Sequence, residues 1–243
     1  MPHSAMFKNM LSKINIQLDD KQYKQFDRFY EMLVEWNKVM NLTGITEYEE
    51  VIVKHFVDSL AVNVVPEVHE LLMGGCECVD VGTGAGFPGI PLKIAFPQIQ
   101  IDLLDSLMKR LKFLDAVIDE NGLAQVRTIH SRAEEAAQKA DYRQKYDLCV
   151  SRAVANLSSL SEYCLPYVKI NGLFVAMKSG EIEEELEESQ NAVKILGGSI
   201  VRVDKMVLPD SDISRSFVII KKVKDTPKKY PRKAGMPTKE PIK

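Results

Sequence analysis

The run Val79-Asp80-Val81-Gly82-Thr83-Gly84-Ala85-Gly86-Phe87-Pro88-Gly89-Ile90-Pro91 decides how the rest of this 243-residue chain is read. A short apolar strand passes directly into a glycine turn and then into a helix start. Glycines at 82, 84 and 86 admit positive φ and let a ligand approach main-chain N–H groups that side chains would otherwise shield. Pro88 or Pro91 suits a first helical turn, where its missing N–H is not needed. Gly84, Gly86 and Gly89 also satisfy G-x-G-x-x-G, the dinucleotide pattern, which taken alone is a weak signal. In a dinucleotide site the first glycine closes the strand, whereas here the strand closes at Gly82, behind Asp80. An acid at that point opposes a pyrophosphate and suits a cationic, amine-bearing ligand.

The spacing Asp80-x-Gly82-x-Gly84-x-Gly86 resembles the first motif of the S-adenosylmethionine (AdoMet) dependent methyltransferases of Rossmann-like fold. From Cys76 onward strand and helix patterns alternate, as in a mostly parallel sheet covered on both faces. Strands are expected at 77–81, 100–104, 125–130, 146–150, 173–177, 200–207 and 217–223. Helices are expected at 106–121 and 180–196, each followed by glycine. The connection Leu208-Pro-Asp-Ser-Asp-Ile-Ser-Arg-Ser216 is too short and polar for a crossover helix, so the last strand should run antiparallel. The expected fold is therefore α/β: a class I, Rossmann-like, seven-stranded sheet with a reversed last strand, behind an N-terminal helical extension. A reversed last strand resembles the AdoMet-dependent class and not the nicotinamide dehydrogenases.

Three segments are expected: a helical extension over 1–70, a methyltransferase domain over 71–224 and a basic, proline-rich tail over 225–243. In the first, Tyr23, Phe26, Phe29 or Tyr30, Leu33, Trp36 and Met40 recur at helical spacing behind Asp19 and Asp20 as cap. This stripe reads as core. Asn41-Leu42-Thr43-Gly44 breaks the helix, and Thr46-x-x-Glu49 reads as a capping box for the next one. The glutamates of 181–188 favour a helix N-terminus and need no function.

A net charge of −2 gives no global sign of nucleic-acid binding, so that case rests on local patches. No apolar run reaches membrane-spanning length and no signal-peptide core opens the chain, so a cytoplasmic protein with no membrane partner is expected. Cys76, Cys78, Cys149 and Cys164 form no metal-ligand spacing and read as buried reduced thiols, with no metal expected. A monomer is expected.

Asp105, at the end of strand two, stands where such folds place an acid for ribose hydroxyls, or else caps the helix that follows. Ser131-Arg132-Ala133-Glu134 follows strand three, on the adenine side, and Ser151-Arg152-Ala153 follows strand four, facing the reacting methyl. No Asp/Asn-Pro-Pro-aromatic turn and no suitably placed cysteine is present, which disfavours exocyclic-amine and pyrimidine C5 methylation. Lys178 could serve ribose 2′-oxygen chemistry, but Arg152 stands near where its acid partner belongs. A target with a free lone pair, such as guanine N7, needs no general base and relies on positioning.

With these residues assembled, the chain resembles the glucose-inhibited division protein B family, the bacterial small-subunit rRNA guanine-N7 methyltransferases. The resemblance spans nearly the whole length. It rests on Trp36-Asn-Lys-Val-Met-Asn-Leu-Thr43, His55-x-x-Asp58-Ser-Leu60, the glycine run, Leu104-Asp-Ser106, Arg132-Ala-Glu134, Ser151-Arg-Ala153 and Tyr230-Pro-Arg-Lys-Ala-Gly-Met-Pro237. It implies AdoMet as cofactor and 16S rRNA, or a 30S subunit or its precursor, as partner, with N7 of guanine 527 in the 530 loop as target. The family's cofactor contacts, carried onto matching positions, fall on Gly82, Phe87, Ala133, Glu134 and Arg152; Asp105 as ribose ligand follows from the fold, and Asp80, Gly84 and Gly86 are expected contacts from the glycine motif. Arg152, Asn41 and Lys178 are expected to position the reaction, and Arg215, Lys228, Lys229, Arg232 and Lys233 to meet RNA. For His55 and Asp58 a substrate role and a core or capping role stand side by side. The other classes kept open are an RNA-binding assembly factor that holds AdoMet without turnover, and a nicotinamide oxidoreductase.

Overall fold

The computed structural model describes residues 5–152 and 155–243; Ala153 of the Ser151-Arg152-Ala153 motif lies outside the described residues. Seven strands form one sheet: β1 (Glu77–Val81), β2 (Gln100–Asp105), β3 (Val126–His130), β4 (Tyr146–Ser151), β5 (Val168–Ser179), β6 (Gly198–Val207) and β7 (Ser214–Lys222). Their order is β3-β2-β1-β4-β5-β7-β6. The β1–β5 pairings are parallel, and β7 is inserted antiparallel between β5 and β6, as its short connection requires.

Among the described residues, the α-helices α1 (Ala5–Ser12), α2 (Asp20–Met40), α3 (Tyr48–Val51), α4 (Asp58–Leu60) and α5 (Pro66–Gly74) precede the sheet. A π-helical turn, Ile52–Val57, joins α3 to α4. α6 (Gly89–Ala95), α7 (Met108–Glu120), α8 (Ala133–Ala136), α9 (Leu157–Cys164), α10 (Glu183–Ile195) and α11 (Met236–Lys239) follow. Asp19 caps α2 in a reciprocal box with Gln22. The box expected at Thr46-x-x-Glu49 does not form: α3 starts one residue later, with Glu47 as its N-cap and no side-chain capping bond.

The apolar stripe of α2 is buried through Tyr23, Phe26, Phe29 and Leu33. Phe29 bridges the layers, with ring centroids 5.6 Å from Phe56, 5.2 Å from Phe87 of the glycine loop and 6.2 Å from Phe113 of α7. Each such buried ring contributes about 1.5–3 kcal/mol. The helical extension is thereby fused to one face of the sheet, and α5 runs through residue 70 to Gly74, just before β1. The opposite face packs against α9 and α10 through Leu157, Leu160, Val193 and Leu196.

β5 is longer than its apolar run, because Asn171-Gly172 lies within the strand and not at its start. Asn171 adopts φ 70°, and a Cβ on Gly172 would stand 2.8 Å from the Asp147 carbonyl of β4, so only glycine lets the strands pair there. All four cysteines are free and buried.

The tail does not trail into solvent. Arg143 donates to the carbonyls of Thr226 and Tyr230 at 2.8 and 3.0 Å, and Arg232 is paired with Glu162, a fully buried carboxylate on α9. The buried Lys222 amine donates to Leu165 O and to the Thr226 hydroxyl where the tail departs.

Candidate active site

The carboxyl ends of β1 and β4, adjacent at the centre of the sheet, open onto a cavity of about 510 Å³. This is where open α/β sheets gather ligands. Its floor is the turn after β1: Gly82, Thr83, Gly84, Ala85 and Phe87. Gly82 and Gly84 hold φ 78° and 61°, and around a Cβ on Gly84 only the Gly82 carbonyl lies within 4.0 Å. That glycine keeps its backbone open to the cavity. Gly86 serves packing instead, since a Cβ there would meet Ile90 and Leu114 at 2.8 Å.

Asp80 lies beneath the floor. It is fully buried and does not line the cavity; its Oδ2 accepts from the Gly89 N–H at 2.8 Å, holding the start of α6. Burial pushes its carboxyl up to about 6, against the opposing pull of its hydrogen bonds. Gly89 is required there because a Cβ would stand 2.2 Å from Leu103 Cδ2 and 2.9 Å from Asp80 Oδ2.

Asp105 ends β2 on the cavity wall. Its carboxylate accepts from Gly84 N at 3.0 Å, Leu107 N at 2.8 Å and Arg110 at 3.2 Å, so it braces the glycine turn and caps the approach to α7 together. Ser131, Arg132, Ala133 and Glu134 line the β3 side, and Leu160 and Tyr163 of α9 close it. Glu134 is 4 % exposed and accepts the Gly235 N–H at 2.7 Å.

On the other side the helical extension contributes Leu42, Thr43 and His55. His55 stacks on Phe87 with centroids 4.5 Å apart and planes at 21°, while the Arg152 guanidinium carbon stands 5.3 Å from the same ring. His55 Nδ1 lies 3.1 Å from the Lys54 carbonyl, which can only accept, so Nε2 accepts from the Thr43 hydroxyl at 2.8 Å. Burial, then the Arg152 charge, hold the imidazole down at about 4, so it is neutral. Thr43, Arg110 and Tyr163 were not singled out in the sequence. Thr43 lies in a stretch read as a helix break and as part of a family motif, with no site role given to it, and the π-helical turn that aims His55 and Asp58 has no periodic signature.

Arg152 also borders a second cavity of about 360 Å³, with Lys54, Asp58, Lys178 and Arg215. Lys178 pairs with Glu185 at 2.7 Å and donates to Ala155 O at 2.8 Å. Asn41 lines neither cavity: it is exposed at φ 50°, the left-handed cap of α2, and its neighbours Leu42 and Thr43 reach the wall in its place. Of the tail cations, Lys228, Lys229 and Lys233 are exposed, and Arg232 turns inward onto Glu162. No group of three or more His, Cys, Asp or Glu among the described residues is arranged to hold a metal ion.

Solved structures share this architecture at low identity. A Burkholderia thailandensis 1,6-didemethyltoxoflavin-N1-methyltransferase, solved with S-adenosylhomocysteine, superposes with TM-score 0.52 and 10 % identity over 70 % of this chain and 80 % of that one. In sequence, the chain is 48 % identical over 243 residues to the ribosomal RNA small subunit methyltransferase G of Alkaliphilus metalliredigens, covering all of both. It is 49 % identical over 242 residues to that of Lachnoclostridium phytofermentans, covering all of this chain and 98 % of the relative. The profile of the GidB family, described as rRNA small subunit methyltransferase G, matches residues 22–214. A full-length match to such relatives, on a sheet whose reversed last strand and glycine-floored cavity were derived independently, leaves one assignment: the chain belongs to the GidB family of small-subunit rRNA methyltransferases.

Proposed function

We propose that the chain transfers a methyl group from AdoMet to N7 of guanine 527 in the 530 loop of 16S rRNA, bacterial numbering. The observation that carries the cofactor assignment is the open glycine floor with Asp105 on its wall. It fits a compact nucleoside whose ribose needs an acceptor and whose amino-acid end needs bare backbone. AdoMet supplies a methyl group on a sulfonium, already activated for displacement. Gly82, Gly84 and Phe87 cradle it, Asp105 takes the ribose hydroxyls, and Ala133 and Glu134 flank the adenine. Asp80 and Gly86 act from below, by holding the turn's shape.

Guanine N7 offers a free lone pair and gives up no proton on methylation, so a dedicated base is unnecessary. The work left to the protein is in-line alignment, which can supply several kcal/mol. This agrees with His55, the one imidazole on the cavity wall among the described residues, being buried and hydrogen-bonded at both nitrogens. Arg152, Lys178 and Arg215 border the second cavity and are assigned to the RNA side, as are the exposed Lys228, Lys229 and Lys233. Segment 1–70 serves as a platform for the catalytic unit 71–224, and 225–243 as its tail. On this reading the chain works in the cytoplasm as a monomer.

The test is methyl transfer from labelled AdoMet to unmodified 16S rRNA and to 30S particles, with the product nucleoside identified and mapped. Labelled 7-methylguanosine in the 530 loop is expected. Cofactor binding without transfer to any RNA form would favour a binding factor, and methyl on another atom would overturn N7.

A further inference from the structure

Three segments distant in sequence converge on one carboxylate. Asp58 opens α4 directly after the π-helical turn and is 2 % exposed. Arg152, after β4, donates from Nη1 to its Oδ2 at 2.8 Å. Arg215, on β7, donates from Nε to Oδ1 at 2.6 Å and from Nη2 to Oδ2 at 3.1 Å. Both arginine side chains are less than one-fifth exposed.

Stability does not explain this arrangement. Withdrawing three charged groups from water is expensive, and a buried ion triad commonly does no better than apolar groups of the same volume. What the triad provides is orientation. Arg152 Nη1 is committed to Asp58 and to the Lys54 carbonyl at 3.1 Å, which fixes the guanidinium plane beside Phe87. Its Nε and Nη2 make no hydrogen bond with the described residues. The second cavity lies against both arginines and meets the glycine-floored cavity at His55 and Arg152. Its other cations are matched: Lys178 by Glu185, and Lys54 by Glu50. Two arginines against one aspartate leave a single net positive charge, the complement of one phosphodiester.

We propose that Asp58 is a positioning residue: it holds Arg152 and Arg215 in the orientation that receives the phosphodiester of the target nucleotide, so that its base meets the cofactor cavity in line. This rests on the methyl-transfer reading above. Asp58 touches neither reacting atom and acts through the two arginines.

The test compares wild type with Asp58→Asn on unmodified 30S particles, measuring kcat, KM for the particle and AdoMet Kd. Asparagine keeps the shape, removes the charge and leaves both guanidinia unclamped but cationic. The expected result is a fall in kcat of about 10²-fold, with KM for the particle unchanged or lower and AdoMet Kd unchanged. A merely structural role would weaken AdoMet binding in step with activity, and that result, or an unchanged kcat, overturns the proposal. Arg215→Gln and the double variant complete a cycle: when Asp58 acts through Arg215, adding Asp58→Asn to Arg215→Gln costs far less than it does in wild type, and full additivity counts against it. Should Asp58→Asn fail to fold, Asp58→Glu keeps the charge and displaces it by one methylene; the same kcat loss is expected, and wild-type kcat refutes. An inactive wild-type protein would sink the methyl-transfer reading itself, whereas an active wild type with indifferent variants sinks only this inference.

Discussion

The Gly235 N–H donates to Oε1 of Glu134 across 2.7 Å, joining the C-terminal tail to a residue on the wall of the glycine-floored cavity. The same tail reaches α9, which supplies Leu160 and Tyr163 to that wall. Arg232 donates from its backbone N, Nε and Nη2 to Glu162, the Ser159 hydroxyl donates to Pro237 O at 2.7 Å, and the Tyr163 and Thr238 hydroxyls meet at 2.6 Å. Tail and cavity therefore share one wall.

Arg232→Ala leaves the fully buried Glu162 carboxylate without its cation. Removing one partner of a buried pair costs about 3–5 kcal/mol. A lower urea midpoint is expected together with weaker AdoMet binding by calorimetry, because α9 and Glu134 lose their brace. Arg232→Lys should recover only part of this, since an ammonium cannot reproduce the two-nitrogen grip. Wild-type values for both quantities in Arg232→Ala would mean that the tail merely rests on the surface.

Lys228, Lys229 and Lys233 share the segment but face water. Changing all three to Gln should leave stability and AdoMet affinity untouched while weakening rRNA binding. Each phosphate that no longer meets a lysine lowers the salt slope by about 0.7 on single strands, so a decrease of about 2 is the ceiling. An identical slope would remove these lysines from the RNA side, whatever happens to Arg232.

How far the sequence carried depended on what each feature needs. The glycine run, the strand–helix alternation and the short 208–216 connection are local signals with steric causes, and they yielded the sheet and its reversed strand. Among the residues lining the cavity, Asp105 ends β2 and Arg152 follows β4 directly, positions that the strand pattern marks, whereas Phe87, Ala133 and Glu134 were singled out only by the family resemblance. The inward turn of Arg232, the capping role of Asn41 and the pairing of Arg215 with Asp58 were not legible. A cation is read from sequence as exposed until a distant carboxylate is known to face it. Asp80 is the intermediate case: an acid in an apolar strand stands out in the sequence, but its hydrogen bond to Gly89 beneath the cavity floor needed coordinates.

Two glycines of the loop should fail differently. Gly89→Ala drives a methyl into Leu103 and the Asp80 carboxylate within the core, so a loss of about 1–3 kcal/mol is expected from overpacking. Gly84→Ala meets almost nothing, but must hold φ 61°, which costs a non-glycine residue about 1–2 kcal/mol. Its methyl also enters the space assigned to the cofactor. AdoMet affinity relative to stability should therefore fall more for Gly84→Ala than for Gly89→Ala; equal ratios in calorimetry and urea unfolding would dissolve the distinction between floor and foundation.

His55 and Asp80 should oppose each other in the pH dependence of stability. His55 titrates at about 4 in the folded chain against 6.5 when unperturbed. Between those values the unfolded chain binds the extra proton, so the His55 contribution is complete above pH 6.5 and lost on acidification through about 4. Asp80 titrates at about 6 against 3.8. There the folded chain binds the extra proton, so acidification through 6 relieves a burial penalty that is fully present above it. Each shift corresponds to about 3 kcal/mol, with opposite sign. The pair should nearly cancel in wild type between pH 7 and 4.5. His55→Gln, which retains a partner for Thr43, removes one arm, so its stability should rise relative to wild type as the pH falls. Asp80→Asn removes the other and should fall relative to wild type over the same range. Urea midpoints at pH 7 and 4.5 decide the matter, and parallel pH profiles for wild type and His55→Gln would show that the imidazole is not held neutral by its place between Thr43 and Lys54.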